Sequence, residues 1–223
     1  MKLSIMKNLL HYTLNSLCLF SASGSELFSS VYDAPTYTIQ FNANGGTGTM
    51  PDQSIEARQA YPLQPNSFTY TDNMFICWNT EPDGSGTSYK DAEKIKIKSP
   101  HTILYAQWYT DTDPAFITQW NTANTSAGSS NNNQIRLPLD PDGSYTFVVD
   151  WGDGTSDAII AWDDPDATHT YSSSGTYIVT IRGNINSFRF NNSGDRNKLI
   201  QISEWGCLKF GNNGAHFYGA ENL

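Results

Sequence analysis

The stretch that most constrains this chain is Val148-Val-Asp-Trp-Gly-Asp-Gly-Thr155. Tyr145, Phe147, Val149 and Trp151 fall on one face of an extended segment, and Thr146, Val148 and Asp150 on the other. Apolar residues recurring every second position are the mark of a half-buried β-strand. Gly152-Asp153-Gly154 then stops the strand, because glycine takes positive φ without a Cβ clash and aspartate hydrogen-bonds its own backbone two residues on. A second strand is predicted over Thr176–Arg182, with Tyr177, Val179 and Ile181 on one face. His169-Thr-Tyr171 and Gly175 lead into it. A helix-period stripe is incompatible with either run, so the chain folds around paired strands.

Three motifs in this region occur in a fixed order: Trp151-Gly-Asp-Gly-Thr155, His169-Thr-Tyr171 and Gly175-Thr-Tyr-Ile-Val-Thr-Ile181. Together they resemble a PKD domain over residues 115–190. The resemblance implies an immunoglobulin-like β-sandwich that serves as a spacer or interaction module, without catalysis.

Composition agrees with an all-β dominated fold. Aromatic residues make up 13% of the 223 residues and charged residues only 16%, and turn formers abound, with 17 glycines and 10 prolines. That balance favours strands and turns over helices. The formal charge of -9 argues against nucleic acid or an anionic membrane as partner, since both need Lys/Arg neutralisation. Cys18, Cys77 and Cys207 are too few and too scattered for a disulfide framework or a zinc site, and buried thiols are expected. Residues 1–25 are a candidate signal peptide: Lys2 and Lys7 precede a partly apolar run, and Ser21-Ala-Ser23 offers small residues for cleavage. That segment is too short and too polar to be a transmembrane helix, and no membrane span is predicted elsewhere.

Upstream, Tyr37, Ile39 and Phe41 alternate with polar residues before the Asn44-Gly-Gly46 turn. Phe75-Ile-Cys-Trp78 reads as a short strand, Asp83-Gly-Ser-Gly86 as a turn, and Ile103–Trp108 as a closing strand. Ile95 and Ile97 alternate with Lys94, Lys96 and Lys98, as in a solvated, protected edge strand. The residues Tyr37–Gly46, Met50-Pro51, Phe75–Trp78 and Leu104–Trp108 resemble the Listeria–Bacteroides repeat, also called the internalin B-repeat, over residues 37–108. Cys77 stands where the family has glycine, and Asn73-Met74 where it has Gly-Tyr. The resemblance implies a β-grasp-like module on the outside of a bacterial cell. Tyr109–Pro114 reads as a linker.

The last part contains Lys198–Ile202, Glu204-Trp-Gly206, Phe210-Gly211 and Gly219–Leu223. Residues 196–223 resemble the start of the leucine-rich repeats of BspA-type surface proteins. One partial copy is too little for a solenoid, which needs about three repeats, so a truncated array is expected.

Catalytic signatures do not emerge. No nucleophile elbow, Walker loop or HExxH occurs, and His11, His101, His169 and His216 are spread along the chain. His169 is expected to be structural, and no nucleophile pairs with it. A non-enzymatic role follows as the expectation, with no cofactor. The acidic residues Asp150, Asp153, Asp157, Asp163, Asp164 and Asp166 could present oxygen ligands to calcium, with Asp150, Asp153, Asp163 and Asp164 as the metal candidates. The plainer explanation is that Asp150 and Asp153 cap the turn while the others are solvated, since the spacing matches no EF-hand, and no metal is expected. Trp162, in a loop, is the candidate ligand-binding residue, where the plainer explanation is packing. Trp78, Trp108, Trp151 and Trp205 sit in strand-like patterns and are expected in the core. The resulting expectation is a secreted or cell-surface bacterial protein for adhesion or host/matrix interaction. Its partner would be a host or matrix protein or a surface glycan. The alternative is a carbohydrate-binding appendage of a secreted glycan-degrading system.

Overall fold

Alternation decides the first sheet. In β1, Thr36–Asn42, Ile39 and Phe41 point inward while Gln40 and Asn42 stay outside. The remaining strands of this module are β2 (Gln53–Glu56), β3 (Tyr61–Pro62), β4 (Asn73–Asn79), β5 (Ser88–Tyr89), β6 (Lys94–Ile95) and β7 (His101–Thr110). The computed structural model describes residues 34–57 and 59–223, so the leader reading at 1–25 and Cys18 lie outside the described residues.

The five-stranded sheet has the order β2-β1-β7-β4-β5. β1 pairs parallel with β7, whereas β2 and β4 pair antiparallel with their neighbours. First and last strands side by side and parallel is the arrangement expected of a β-grasp-like sheet. Among the described residues no α-helix lies across it. Its core instead gathers Ile39, Phe41, Leu63, Phe68, Trp78, Ile95 and Leu104. Ile95 and Ile97 are buried as expected, yet only Lys94–Ile95 is strand, paired with Tyr61–Pro62 in a separate ribbon. The lysines thus flank a buckle under the sheet rather than guard a long edge.

The linker is shorter than the sequence suggests, because Tyr109 and Thr110 belong to β7. Thr110 and Asp113 close the turn: the Thr110 N–H donates to Asp113 Oδ2 at 2.8 Å and the Asp113 N–H to the Thr110 carbonyl at 3.1 Å.

The second module begins at β8 (Phe116–Asn121) and continues through β9 (Gln134–Arg136), β10 (Ser144–Asp150), β11 (Ser156–Ile159), β12 (Thr168–Thr170), β13 (Thr176–Asn186), β14 (Leu199–Glu204) and β15 (Leu208–Lys209). Its main sheet runs β11-β10-β13-β8-β14, with β15 beside β13. A ribbon of β9 and β12 covers part of the inner face. Between these layers lie Phe116, Trp120, Ile135, Phe147, Val149, Trp151, Val179, Ile181, Phe188 and Leu199. The described residues are therefore all-β, with two cores. Val149, Trp151, Val179 and Ile181 are all fully buried, as their alternation predicts.

The boundary expected at residue 190 falls inside the packed unit. β14 is the edge strand of the main sheet, antiparallel to β8, and Leu199 is fully buried in the shared core. Leu208, Phe217 and Ala220 pack on the same core. The segment 196–223 thus completes the second module, because its apolar residues match the face that β8 and β13 leave uncovered. Trp205 departs from expectation: it is 50% exposed and leans on Phe210 and Phe217 at the rim of the core. It follows the outermost strand, where no further layer exists to bury it.

Candidate functional site

The hub motif resolves into a set of internal contacts. The His169 ring stacks on Trp151, with centroids 4.9 Å apart and planes 10° from parallel, and meets Tyr171 edge-on at 4.5 Å. Its Nε2 lies 2.8 Å from Asp153 Oδ2 in the Gly-Asp-Gly turn. Asp153 Oδ1 accepts from the Thr155 N–H at 3.0 Å and the Thr155 hydroxyl at 2.6 Å. Burial alone would raise the Asp153 pKa, but Thr155 and His169 outweigh it and hold the carboxyl below its ordinary value. The Tyr171 hydroxyl donates to the Trp151 carbonyl at 2.9 Å, and the Trp151 indole N–H donates to Asp157 at 2.8 Å. Gly152 has φ +77°, and a Cβ there would run into the Ile178 carbonyl oxygen. These hydrogen bonds and ring contacts hold the motif in shape.

The four calcium candidates are not assembled. Asp150 Oδ1 caps the turn by accepting from the Gly152 N–H at 2.8 Å. Asp153 is tied to Thr155 and His169, and Asp163 is exposed. Asp164 is buried and accepts from the Ile160 and Asp166 N–H groups at 3.2 and 3.1 Å. Among the described residues no three His, Cys, Asp or Glu side chains converge as metal ligands. The reason is local: Asp150, Asp153 and Asp164 turn back to their own loops or to a cation while Asp163 stays exposed, so no shared oxygen cage forms.

Asp164 has a further partner that sequence spacing does not reveal. Lys90, in the first module, bridges Asp164 and Asp166, each at 2.6 Å. Desolvation works against the ammonium, but the two carboxylates win and raise the Lys90 pKa. This ion pair ties the loop bearing Trp162 to the first module. The Trp162 side of the loop is closed by the Asp164 N–H donating to the Ala161 carbonyl at 3.4 Å.

Trp162 is 45% exposed and stands at the rim of a cleft of about 700 Å³ between the modules. The first module contributes Asp83, Ser85, Gln107 and Trp108, and the second contributes Ser144, Thr146 and Asn184. Gly183, with φ +115°, leaves the floor without a side chain because a Cβ would strike the Thr146 carbonyl and the Phe147 backbone. The walls are pre-set. Buried Asn79 organises the turn that carries Asp83: its Oδ1 accepts from the Glu81 and Gly86 N–H groups at 2.8 and 3.0 Å, and its amide donates to the Gly84 carbonyl at 3.1 Å. Asn44 reaches the same turn, donating to the Pro82 and Ala106 carbonyls at 2.8 and 2.9 Å. The Trp108 indole N–H donates to the Ala43 carbonyl at 2.9 Å. Asn44, Gly45, Gly46 and Trp108 are motif residues, and their contacts show why that spacing is needed: the turn after β1 is clamped against β7.

Residues 37–107 match the Listeria-Bacteroides repeat domain. The family model thus covers the five-stranded module and bears out the resemblance carried by Tyr37–Gly46, Phe75–Trp78 and the β7 motif. The chain matches no curated protein and no solved structure. At the glycine position of the repeat, Cys77 is fully buried, and desolvation pushes its thiol up to about 12. Cys207 is half-buried, and both thiols are free. Such protonated thiols are poor nucleophiles.

Sequence reasoning singled out Trp162 but not the other residues of the cleft. Asp83 and Gln107 read as turn and strand residues of the repeat, and Asn184 lies beyond the predicted Thr176–Arg182 strand, which extends to Asn186. Their convergence arises from docking of the two modules, for which no local sequence signal exists.

Proposed function

We propose that the chain is a non-enzymatic part of a bacterial surface or secreted protein, acting as stalk and binding module in adhesion or host/matrix interaction. The observation that carries this reading is the Listeria-Bacteroides repeat at residues 37–107, a repeat of surface proteins, packed directly on a second β-module. The PKD-like reading of 115–190 rests on the Trp-Gly-Asp-Gly-Thr, His-Thr-Tyr and Gly-Thr-Tyr motifs and on the antiparallel sheet they build. Absence of catalysis is supported by His169, whose ring is committed to Trp151 and Asp153, and by the protonated state of Cys77. Among the described residues no helix is long and apolar enough to cross a membrane.

A second reading, a carbohydrate-binding appendage of a secreted glycan-degrading system, draws on the exposure of Trp162 at the cleft. Protease shaving of intact cells of the source bacterium, together with analysis of the medium, tests the first proposal. Peptides from residues 34–223 should be released from the surface or recovered outside the cell. Recovery only from the cell interior would overturn it.

A further inference from the structure

We infer that the cleft between the two β-modules is a binding site for a neutral oligosaccharide, with Trp162 as its stacking platform and Asp83 and Gln107 as its hydrogen-bonding wall. The inference deepens the proposed binding role and rests on it.

Three observations carry it. The first is shape and size. The cleft of about 700 Å³ lies within the range of sites that hold a compact organic ligand, which for a glycan means a short oligosaccharide. Its walls are held by Asn79, Asn44 and the Lys90–Asp164 pair, so little ordering entropy remains to oppose binding.

The second is the character of the lining. The exposed face of Trp162 and the ring of Trp108 stand beside side chains able to accept and donate. Sugar rings present C–H faces and a hydroxyl rim, and an indole with neighbouring amides and a carboxylate complements both. Asp83 is well suited to accept from hydroxyls. Its Oδ1 is held by the Ser85 N–H and hydroxyl at 3.0 and 2.6 Å, while among the described residues Oδ2 accepts from none. Gln107 directs its amide N–H to the Glu81 and Tyr105 carbonyls at 3.4 and 3.3 Å, and its Oε1 lies over Gly84 on the cleft wall. Asn184 adds an amide that donates to the Ser144 carbonyl at 3.2 Å.

The third is charge. Among the described residues no lysine or arginine lines this cleft, and its one carboxylate is Asp83. The cation at its margin is Lys209, 3.5 Å from the Asn184 amide oxygen, so an acidic glycan would meet the Asp83 charge on a chain of formal charge -9 with a single lysine nearby. A second recess on the other side of Trp162 does contain Arg136 and Arg189. Arg189 is engaged with Asp140 at 3.3 Å. The recess therefore defines the competing outcome, an acidic ligand.

The test uses the full chain on an array bearing neutral hexose and N-acetylhexosamine oligosaccharides beside uronate and sulphated ones, followed by calorimetric titration of the sugars that bind. Binding to one or more neutral oligosaccharides is expected, weakened at least tenfold by Trp162→Ala and by Asp83→Ala and left unchanged by Trp205→Ala. On titration, the indole N–H resonances of Trp162 and Trp108 should shift while those of buried Trp120 and Trp151 stay still, a readout that does not depend on any variant folding. The inference is overturned if no neutral oligosaccharide binds at millimolar concentration. It is equally overturned if Trp162→Ala and Asp83→Ala bind as the parent does, or if only acidic glycans bind and Arg136→Ala abolishes them. None of these results touches surface placement, which the shaving experiment decides separately.

Discussion

Replacing Lys198 with methionine should strongly destabilise the second module. The Lys198 side chain is fully buried and extends beneath the polar loop that follows β8. Its ammonium donates to the carbonyls of Ser130, Asn131 and Gln134 at 3.0, 2.8 and 2.9 Å and to the Ser130 hydroxyl at 2.7 Å. Asp195, also fully buried, lies 3.4 Å away. Its oxygens accept from the Ser130 N–H, the Ser130 hydroxyl and the Arg136 N–H at 2.7, 2.6 and 2.7 Å. Burial pulls the Lys198 pKa below its ordinary value against the raising influence of Asp195, a sign that desolvation of this cation is costly. Methionine keeps the length of the side chain but removes one donor each from the Ser130, Asn131 and Gln134 carbonyls, of which Ser130 and Asn131 keep the Ser129 hydroxyl and the Gln134 N–H, and it leaves the Asp195 charge uncompensated. Breaking one side of a buried pair typically costs about 3–5 kcal/mol. That is a large part of the roughly 5–15 kcal/mol that stabilises a native fold. In a chain of this size it corresponds to a fall in Tm of about 6–20 °C, at about 2–4 °C per kcal/mol. Urea unfolding followed by tryptophan fluorescence, read at unchanged m-value, measures it. The double variant with Asp195→Asn should recover part of the loss, because the orphaned charge is then gone. A loss under about 1 kcal/mol for Lys198→Met would refute the reasoning and mean that the loop is held by its other contacts.

Gly152→Ala should destabilise by more than about 1–2 kcal/mol, the cost of a left-handed non-glycine residue, since the new Cβ also meets the Ile178 carbonyl; thermal melting checks it, and Gly154→Ala, where the added Cβ meets nothing, should cost less. Acid should weaken the second module through Asp140. The Asp142 N–H, then Asn213 and Arg189, hold its carboxyl below its ordinary value in the folded protein. Its contribution is therefore complete above the unfolded carboxylate pKa of about 3.9 and disappears as pH falls through the lower folded value. Asp140→Asn should flatten the stability profile in that acid window, as urea midpoints from pH 2 to 6 will show. Calcium should leave Tm unchanged relative to chelator, because Asp150, Asp153, Asp163 and Asp164 form no shared cage; a rise of several degrees would restore the metal reading.

Much of the fold was legible because it is written in local periodicity. The alternation around Val149 and Val179 named the central pair, β10 and β13, and the motif turns named their ends. The repeat was legible for the same reason: Asn44, Gly46 and Trp108 each satisfy a clamp that no other residue type would make. Trp205 misled because alternation reports a strand but not how many layers cover it. The boundary near residue 190 misled because a resemblance in one segment says nothing of which neighbour will bury its apolar face; Leu199 and Phe217 found theirs on β8 and its surroundings. The acidic loop stayed ambiguous because sequence counts carboxylates without showing which already have partners.

By itself the sequence determined strand against helix, the places of the tight turns and the identity of the repeat, since these depend on side-chain period, on glycine's freedom at positive φ and on contacts within a short span. Only the tertiary structure decided that Lys90 reaches Asp164, that Lys198 and Asp195 lie buried under one loop, and that Trp162 faces Asp83 and Gln107 across a cleft. Those relations join residues from separate elements. Their distances follow from how two cores dock, and packing of whole surfaces leaves no mark in the order of neighbouring residues.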